Sequence, residues 1–418
     1  MEFAQRLSID PIVAALGDPP RVSVAPRSNL DLPVYRWFNY KHSFSAQFAK
    51  AILMPLELNA HSTVLDPFCG AGTSLLAAKE CGIRSIGCDI MPLSILASSV
   101  KTVSICPREA RDASARFVEA VSSRGPSPGF AEWFSARPHL VPYLVGSQAE
   151  DVYTARTWVE AYEGGETVRN WLLLALLASL EDASRSVKGG AFLRYDANKG
   201  TTPLAAILQH RLTVMRADLT ELRSLPRTSA RAVLADARRL PIPSQSVDTV
   251  LTSPPYPNRH DYTRTYYLEL AVGFQNDAQI KELRHNSICS HTEAREPAAS
   301  SQVSLEESVK LNLEQLSRSP VPDGGIHQML VAYFSDMTRS LKEMYRTLRR
   351  GGIAAIVVSE VQYSGVPIAV GEHLEHIGLQ CGFTCSRRIV LRLKGNSPQQ
   401  MEQYGKHALR EELLLLEK

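Results

Sequence analysis

Two short motifs, each placed directly after an apolar run, constrain the fold of this chain more than any other feature. The first is Asp66-Pro-Phe-Cys-Gly-Ala-Gly-Thr-Ser74 and the second is Thr252-Ser-Pro-Pro-Tyr256. An apolar run that ends in a glycine or proline turn is typical of a buried strand followed by a sharp change of direction. Parallel strands that lie side by side bring their carboxyl ends to one edge of the sheet, where open α/β folds bind ligands. The sequence therefore predicts one site built from two distant segments.

The pattern around these motifs predicts a doubly wound α/β sheet. Residues 62–65, 72–80 and 85–88 read as strand, helix and strand, the opening unit of such a sheet. The pattern returns after residue 231 with predicted strands at 232–235, 246–251, 352–359, 384–393 and 411–417. The last two suit an antiparallel pair at the sheet edge. The predicted fold is therefore a Rossmann-like sheet, mostly parallel, with an antiparallel C-terminal edge pair and a largely helical insertion.

The chain divides into three predicted regions. Residues 1–102 would hold an N-terminal segment and the cofactor-binding half of the catalytic domain, and residues 231–418 would hold the catalytic half. Between them, residues 103–230 read as helices separated by Gly, Pro and Ser loops, so we interpret them as an insertion. Residues 276–325 are polar and rich in Ser, Glu and Pro, which predicts a long loop with one or two helices.

Composition indicates an ordinary globular protein. The 418 residues, of which 44% are hydrophobic, are ample for a large core. The longest apolar run, residues 171–178, is too short to cross a bilayer, and residues 1–17 lack the apolar stretch of a secretion signal. Seven cysteines, an odd number, fit reduced thiols better than a disulfide framework. We therefore expect a cytoplasmic protein.

Charge is distributed unevenly along the chain. The net charge is +3, but residues 185–239 carry 11 Lys and Arg against 4 Asp and Glu, a local surplus of 11 − 4 = +7. Residues 257–325 carry 7 against 10, or −3. A basic segment is compatible with a surface that contacts phosphates, and a solvated helix surface is the alternative. Charge alone leaves both interpretations open.

The chemistry of the first motif favours a nucleoside cofactor with an ammonium group. Gly70 and Gly72 are only two glycines of the dinucleotide fingerprint, and the preceding Asp66 suits a cation better than a pyrophosphate. S-adenosylmethionine carries such an ammonium group. Asp89, at the end of the next strand, can accept hydrogen bonds from both ribose hydroxyls. Asp236, after the strand 232–235, is placed to hold the adenine amino group.

The second motif suits a flat aromatic amine. Two prolines fix the backbone and remove N–H donors, so that carbonyl oxygens of the turn can act as acceptors. The exocyclic nitrogen of a nucleobase is a poor nucleophile because its lone pair is delocalised into the ring. If Ser253 Oγ and the Pro254 carbonyl accept its protons, the lone pair is localised toward a methyl donor, while Tyr256 stacks on the base. A simple proline turn is the alternative.

These residues resemble the DNA amino-methyltransferase family, whose members methylate N4 of cytosine or N6 of adenine. Asp66 to Thr73 is similar to its cofactor motif, Thr252 to Tyr256 to its catalytic motif, and Tyr40-Lys-His-Ser-Phe44 to the segment that packs on the methionine end of the cofactor. In this family the Ser-Pro-Pro-Tyr form is associated mainly with cytosine, which favours N4 here. The resemblance covers residues 36–102 and 230–418.

The resemblance also implies a cofactor, partners and site residues. S-adenosylmethionine would be the cofactor, double-stranded DNA the substrate, and a restriction endonuclease of the same system a further partner. The implied catalytic residues are Ser253, Pro254, Pro255 and Tyr256. The implied cofactor-binding residues are Tyr40, His42, Phe44, Asp66, Pro67, Phe68, Gly70, Gly72, Thr73, Asp89, Asp236 and Ala237. No metal is implied.

The segment that reads the DNA is left open by the order of the motifs. Many N4-cytosine enzymes place the catalytic motif first, whereas here the cofactor motif comes first, and the family tolerates circular permutation. Either the basic insertion or residues 257–325 would read the DNA, and we expect joint use. Arg259, Tyr262, Arg264 and Tyr266 are candidates to support a flipped nucleotide. Packing of a helix into the core is the alternative for these aromatic residues.

Other classes of function were weighed against this interpretation. Methylation at carbon 5 of cytosine normally uses a Pro-Cys pair, and the chain contains no such dipeptide. The group His373, His376, Cys381 and Cys385 matches no usual zinc spacing, so ordinary surface or core roles are favoured. An adenine-N6 enzyme, an RNA base methyltransferase and a binding protein without catalysis remain as alternatives, and the intact Ser253 to Tyr256 argues against the last.

Overall fold

A mostly parallel sheet forms the centre of the computed structural model, which describes residues 7–17, 20–123, 125, 127–189, 192–294, 307–318, 325–396 and 398–418. The strands are β1 (Thr63–Asp66), β2 (Arg84–Asp89), β3 (Ser186–Gly189), β4 (Phe192–Tyr195), β5 (Ala230–Leu234), β6 (Val247–Thr252), β7 (Leu348–Ser359), β8 (Val361–Tyr363), β9 (Val366–Ile368), β10 (Cys385–Gly395) and β11 (Ala408–Glu417). The main sheet has the order β10-β11-β7-β6-β1-β2-β5, and β3-β4 and β8-β9 form two separate hairpins.

Helices cover both faces of the main sheet and form most of the residues between β2 and β5. They are α1 (Asp10–Leu16), α2 (Ala46–Leu53), α3 (Thr73–Glu80), α4 (Pro92–Thr102), α5 (Pro107–Ser122), α6 (Phe130–Ser135), α7 (Ser147–Glu160), α8 (Glu166–Ala183), α9 (Leu204–Ala217), α10 (Leu219–Ser224), α11 (Tyr262–Thr265), α12 (Tyr267–Gly273), α13 (Asp277–Asn286), α14 (Glu307–Ser317), α15 (Ile326–Thr347), α16 (Val370–Gln380) and α17 (Pro398–Tyr404).

The predicted fold class is confirmed. Strands β5, β2, β1, β6 and β7 are parallel to one another, β11 is antiparallel to β7, and β10 is antiparallel to β11. The order reverses between β1 and β6, because the chain moves outward to β2 and β5 before it returns to β6. Such a switch point leaves a crevice at the carboxyl ends of the two central strands. The ends of the predicted strands lie within four residues of the observed ones.

Burial explains why the central strands read as apolar runs. All four residues of β1 are buried, and eight consecutive residues of β7, from Gly352 to Ser359, are buried as well. Parallel strands with helices on both faces have no solvent side, so their sequences lose the alternation of apolar and polar residues. The antiparallel edge is different, since β10 has mostly exposed or half-buried residues.

The region 103–230 is mainly helical but also contains the β3-β4 hairpin, which the sequence pattern did not predict. In the described residues, its helices share one apolar core with parts of both catalytic halves, including Trp37, Leu93 and Leu270. A buried carboxylate, Asp218, ties this region to the N-terminal segment. It accepts hydrogen bonds from Trp37 Nε1 at 2.9 Å and from Arg36 Nε at 3.0 Å. The region therefore packs as an integral part of the described structure.

Four helices lie between the catalytic motif and residue 325 in the part of the chain that the structure describes. Helices α11 and α12 come directly after the motif, and α13 and α14 occur within the polar stretch 276–325, for which a long loop with one or two helices was predicted. Residues 295–306 and 319–324 of this stretch lie outside the described residues. None of the helices in the described ranges is both long enough and apolar enough to cross a bilayer.

Candidate active site

A large cavity opens at the carboxyl edge of the sheet, where β1, β2, β5 and β6 end. Its volume is about 950 Å³, including the part that is open to solvent. The four strand ends contribute Asp66, Asp89, Asp236 and Ser253 to its wall. The cavity therefore lies at the switch point of the sheet, where open α/β folds bind their ligands.

Most of the residues predicted from the sequence line this cavity. They are Tyr40, His42, Phe44, Asp66, Pro67, Phe68, Gly70, Thr73, Asp89, Asp236, Ala237, Ser253 and Pro255. The other three are set behind the wall: Gly72 packs on Ser98, Pro254 is buried, and Tyr256 packs against the core around β6 and β7. The tertiary structure thus brings segments near residues 40, 66, 89, 236 and 253 around one space.

The turn after β1 requires glycine at two positions. Gly70 and Gly72 have φ angles of +48° and +75°, in the left-handed region that other residues rarely adopt. A Cβ atom on Gly70 would lie 3.0 Å from the Tyr40 ring, and one on Gly72 would lie 2.8 Å from the Cα of Ser98. The first glycine therefore allows Tyr40 to approach the turn, and the second allows α4 to pack on it.

Asp66 is the buried polar group that joins the two motifs. Its Oδ1 accepts hydrogen bonds from Thr252 Oγ1 at 2.6 Å and from the Phe68 N–H at 3.1 Å, and its Oδ2 accepts one from the Ser74 hydroxyl. The residue is only 2% exposed and has no ion pair with a described residue. Burial raises the pKa of Asp66 to about 6, against the opposing effect of these hydrogen bonds. A cation in the cavity would favour its ionised form.

Asp89 is a second carboxylate on the cavity wall and closes the glycine turn. Its Oδ2 accepts a hydrogen bond from the Gly70 N–H at 3.0 Å, and its Oδ1 accepts one from the Met91 N–H at 2.9 Å. Burial raises the pKa of Asp89, and the backbone hydrogen bonds act in the opposite direction. The carboxylate is thus held rigidly at the end of β2, with acceptor capacity left for hydroxyl donors of a ligand.

An aromatic layer from the N-terminal segment covers one side of the cavity. The Tyr40 ring stacks on Tyr266 with ring centroids 4.7 Å apart and an interplanar angle of 7°. His42 Nε2 lies 2.8 Å from His260 Nε2, so one ring donates a hydrogen bond and the other accepts it. Burial and the neighbouring His260 lower the pKa of His42 to about 3, which keeps this ring neutral near pH 7.

The four candidates for support of a flipped nucleotide are placed differently from one another. Tyr262 lines the cavity, whereas Tyr266 is fully buried beneath Tyr40. The expectation for Tyr266 was wrong, because its ring is part of the core and cannot meet a nucleotide. Arg264 is half exposed and pairs with Glu293, and Arg259 is exposed on the loop after the catalytic motif. Tyr262 is therefore the member of this group that lines the cavity.

Asp236 is held in place by an arginine. Its carboxylate accepts hydrogen bonds from Arg238 Nε at 2.9 Å and from Arg238 NH2 at 2.7 Å, and Arg238 also pairs with the buried Asp336 at 3.1 Å. The Asp236 side chain is 38% exposed. The Arg238 backbone N–H also donates to Asp236 Oδ1 at 2.9 Å, so both oxygens of this carboxylate already accept hydrogen bonds from Arg238.

The catalytic motif forms a short hydrogen-bonded unit after β6. Ser253 Oγ lies 3.2 Å from the Tyr256 hydroxyl, and that hydroxyl donates a hydrogen bond to Glu411 Oε1 at 3.3 Å. Burial, followed by the charge of Glu411, raises the pKa of Tyr256. The Tyr363 hydroxyl donates a hydrogen bond to the Pro257 carbonyl at 2.5 Å, which anchors the chain beyond the motif. The Ser253 side chain is thereby presented to the cavity from a fixed turn.

Sequence reasoning missed three polar partners in the site. Ser74 and Thr252 stand inside the recognised motifs, yet their hydrogen bonds to Asp66 depend on how β1 and β6 pair. Glu411 lies 155 residues after Tyr256 and reaches it because β11 joins the sheet beside β7. The available signal was an acidic pair at the start of an otherwise apolar strand, and this signal does not identify a partner.

The residues on the wall fit S-adenosylmethionine, the cofactor predicted from the motifs. Asp66 and Asp89 are carboxylates without an ion pair among the described residues, and they suit an ammonium group and ribose hydroxyls respectively. Tyr40, Phe44 and Phe68 add apolar surface to the same wall. For the four-residue cluster at His373, the structure offers no comparable fit to a metal: His373 Nε2 lies 2.7 Å from Asn312 Oδ1, and no group of metal-binding side chains occurs among the described residues.

Comparison with known proteins gives one matching family profile and several similar proteins. A family profile described as DNA methylase matches residues 23–97. The Type II methyltransferase M.BsoBI of Geobacillus stearothermophilus is 28% identical over 95% of this chain and 88% of its own length, and M.AvaI of a Nostoc species is 28% identical over 93% and 87%. M.MjaII of Methanocaldococcus jannaschii is 40% identical over 62 residues, which are 15% of this chain and 12% of that relative.

Proposed function

The chain belongs to the DNA amino-methyltransferase family, and from this premise we propose that it methylates the exocyclic N4 amine of cytosine in duplex DNA. As a member of this family it uses S-adenosylmethionine as methyl donor. The finer assignment to cytosine rests on the Ser-Pro-Pro-Tyr form of the catalytic motif. Its target base would leave the helix and enter the cavity, since a base inside a duplex does not expose its amine to an enzyme.

One observation carries this proposal: Asp66 and the catalytic turn are joined by a direct hydrogen bond. Thr252 Oγ1 donates to Asp66 Oδ1 at 2.6 Å, and Ser253 is the next residue in the chain. A group held by Asp66 and an amine held by Ser253 would therefore share one wall of the same cavity. Proximity of this kind lowers the barrier of a transfer reaction because the reactants are already oriented.

The residues of the chain act on the amine as acceptors in this proposal. When bound, S-adenosylmethionine supplies a methyl group activated by the positively charged sulfur. Ser253 Oγ and the Pro254 carbonyl accept hydrogen bonds from the amine protons, which localises the nitrogen lone pair for direct transfer. Tyr262, which lines the cavity, provides flat aromatic surface near the base. The amine then loses a proton to solvent, and no covalent bond to the enzyme forms.

The test of this function is mass spectrometry of nucleosides from unmethylated DNA that has been incubated with the protein and isotopically labelled S-adenosylmethionine. We expect the label in N4-methylcytosine. Label in N6-methyladenine instead would overturn the cytosine assignment and keep the family mechanism. Label in RNA and not in DNA, or no label in either, would contradict the proposed function. A Ser253→Ala sample serves as the control for contaminating methyltransferases.

We propose that the β3-β4 hairpin is one of the surfaces that contact DNA. Strand β4 lies beside α11, which carries Tyr262 on the cavity wall. On this strand, Phe192 and Tyr195 are 52% and 48% exposed, and Arg194 is exposed without an ion pair among the described residues. Exposed aromatic side chains and an unpaired cation at the rim suit a nucleic acid with a displaced base.

Pairing of charges narrows the basic segment 185–239 to a few candidates for phosphate contact. Lys188 pairs with Glu269, Arg211 with Asp182, and Arg238 with Asp236, so these cations are already compensated. Lys188 and Glu269 are both buried and anchor the hairpin to α12. Arg194, the exposed arginine of the hairpin, is therefore our main candidate for a phosphate contact in this segment, which the charge count alone could not single out.

We expect that Arg194→Ala lowers DNA affinity and reduces the slope of log affinity against log salt by about 0.9, the value for one lost phosphate contact. Fluorescence anisotropy with a duplex at several salt concentrations measures both quantities. Arg227→Ala is the matched control, because Arg227 is an exposed arginine of the same basic segment that precedes the amino end of β5, at the opposite edge of the sheet. Equal effects of the two substitutions would contradict the assignment of the hairpin.

A restriction endonuclease of matching specificity is the partner that we propose for this enzyme. The two long relatives are named Type II methyltransferases, a class that accompanies such nucleases. In this proposal the partner shares the recognition sequence of the DNA and needs no contact with the chain. Methylation by the protein would then protect its site from cleavage.

A further inference from the structure

A buried carboxylate lies behind the catalytic motif, outside every segment that the motifs identify. Glu411 is on β11, is 4% exposed, and accepts a hydrogen bond from the Tyr256 hydroxyl at 3.3 Å. The same hydroxyl lies 3.2 Å from Ser253 Oγ. Ser253, Tyr256 and Glu411 thus form a chain of hydrogen bonds that starts at the cavity and ends inside the sheet.

Two cationic side chains donate hydrogen bonds to Glu411. Arg392 Nε contacts Glu411 Oε2, and Lys394 Nζ contacts Glu411 Oε1, so each carboxylate oxygen faces a positive group. Lys394 Nζ also lies 5.5 Å from the centroid of the Tyr256 ring. Both oxygens of Glu411 already accept hydrogen bonds from these cationic donors, so the carboxylate acts as an acceptor toward Tyr256 as well. Arg392 and Lys394 carry only hydrogen-bond donors, so neither can accept a hydrogen bond from the Tyr256 hydroxyl.

This arrangement fixes the direction of every hydrogen bond in the chain. Because Glu411 accepts hydrogen bonds here, the Tyr256 hydroxyl is the donor of the hydrogen bond between them. The Tyr256 oxygen is then free to accept, and the Ser253 hydroxyl is its nearest donor. When the Ser253 hydroxyl donates a hydrogen bond to the Tyr256 oxygen, the lone pairs of Ser253 Oγ remain available to accept a hydrogen bond from a donor in the cavity.

We propose that Glu411 is a positioning residue that holds the Ser253 hydroxyl in the orientation in which its oxygen accepts a hydrogen bond from the target amine. This inference rests on the proposed function, in which Ser253 is an acceptor. In the opposite orientation, Ser253 would direct its O–H toward the N–H of the amine, and two donors would face each other. Glu411 contacts neither base nor cofactor and acts only through Tyr256.

The neighbouring residue supplies a matched control. Glu412 is 2% exposed and pairs with two arginines, Arg388 and Arg410, so its burial and charge resemble those of Glu411. Its side chain packs toward Gly371 of α16, and because neighbouring residues of a strand point to opposite faces it does not share the contacts of Glu411 with Tyr256. A substitution at Glu412 therefore reports the structural cost of removing a buried, paired carboxylate from β11 without touching the Ser253 chain.

The experiment compares Glu411→Leu, Glu412→Leu and Tyr256→Phe in the full chain, by single-turnover methylation of a duplex and by equilibrium binding of S-adenosylhomocysteine. We expect Glu411→Leu to slow the single-turnover rate about tenfold, as for one misdirected hydrogen bond, with binding unchanged. Tyr256→Phe keeps the aromatic ring and should give a similar loss. In the double variant the losses should not multiply, since both break the same chain. Glu412→Leu should leave the rate per folded molecule unchanged.

Several results would overturn the proposal, and each is distinct from failure of the proposed function. A tenfold loss from Glu411→Leu that persists in the Tyr256→Phe background would show that Glu411 acts by another route. An unchanged rate in Glu411→Leu, together with an inactive Ser253→Ala, would refute the role of Glu411 and leave the proposed role of Ser253 in place. A fully active Ser253→Ala would refute the proposed role of Ser253 itself. If Glu411→Leu does not fold, Glu411→Gln and Tyr256→Phe carry the test, and equal wild-type rates in both would refute it.

Discussion

Replacement of Ser253 by alanine is expected to lower the single-turnover rate about 10²- to 10³-fold, while the affinity for S-adenosylhomocysteine stays within about twofold. The physical reason is that Ser253 Oγ accepts a hydrogen bond that matters most as the amine nitrogen becomes tetrahedral. The proposed contacts to the cofactor come from Asp66 and Asp89 and do not involve the Ser253 hydroxyl, so the substitution should leave cofactor affinity nearly unchanged. Rapid-quench methylation and isothermal titration calorimetry measure the two quantities separately.

The matched control is Ser246→Ala. Ser246 immediately precedes β6, at the amino edge of the sheet, and its hydroxyl donates to the Pro243 carbonyl at 2.7 Å. Ser246 and Ser253 therefore flank the same strand at opposite ends, and removal of the Ser246 hydroxyl should leave the rate unchanged. If Ser253→Ala weakened the cofactor and spared the rate, the assignment of the two motifs would be reversed.

The affinity for S-adenosylhomocysteine is expected to fall about tenfold for each pH unit below 6 and to be nearly constant above about pH 7. Burial raises the pKa of Asp66 to about 6, so the free protein binds a proton there as the pH falls through this value. An ammonium group binds the ionised carboxylate, and the proton must leave first. Ligand binding therefore becomes weaker as the pH decreases, with the midpoint set by Asp66.

The raised pKa of Asp66 also makes the free energy of unfolding depend on pH. Because the pKa of Asp66 is higher in the folded than in the unfolded chain, the folded state binds the proton more tightly. From this group alone, the free energy of unfolding is greatest at low pH and decreases as the pH rises through about 6. A bound ammonium group opposes that loss. Thermal unfolding with and without S-adenosylhomocysteine should therefore show a ligand stabilisation that grows from about pH 5 to pH 7.

Methylthioadenosine separates Asp66 from Asp89 in this measurement. It keeps the adenosine part and therefore the proposed ribose contact of Asp89, whose pKa burial also raises, but it lacks the amino acid group. The pH dependence assigned to Asp66 should be absent for this ligand. Asp66→Asn should lose the same dependence and weaken S-adenosylhomocysteine about 10- to 100-fold near neutral pH, as for a lost charge-assisted hydrogen bond. An unaltered pH profile in Asp66→Asn would refute the ammonium assignment.

Local features of the sequence were sufficient for most of the fold and for the outline of the site. The apolar runs that became β1, β6 and β7 are buried on both faces, so their sequences report the sheet directly. Gly70 and Gly72 have positive φ angles, which explains why glycine marks this turn in the sequence. Polar residues that directly follow strands line the cavity because parallel strands end at a common edge.

Aromatic residues near the catalytic motif show where sequence reasoning reached its limit. Tyr262 and Tyr266 are one helical turn apart, and both were candidates to contact a nucleotide. The structure separates them, with Tyr262 on the cavity wall and Tyr266 stacked under Tyr40. The difference depends on the position of a residue that precedes them by more than 200 places in the chain. No local pattern contains that information.

The sequence by itself determined the sheet, the two motifs at its carboxyl edge and the residue types that favour a nucleoside cofactor and an aromatic amine. These follow from short-range rules: strand burial, the backbone freedom of glycine and the loss of donors at proline. Only the tertiary structure decided that Thr252 bonds to Asp66, that His42 meets His260 and that Glu411 lies behind Tyr256. Those contacts join residues 155 to 218 positions apart, and their geometry is set by strand order and packing, which local sequence does not specify.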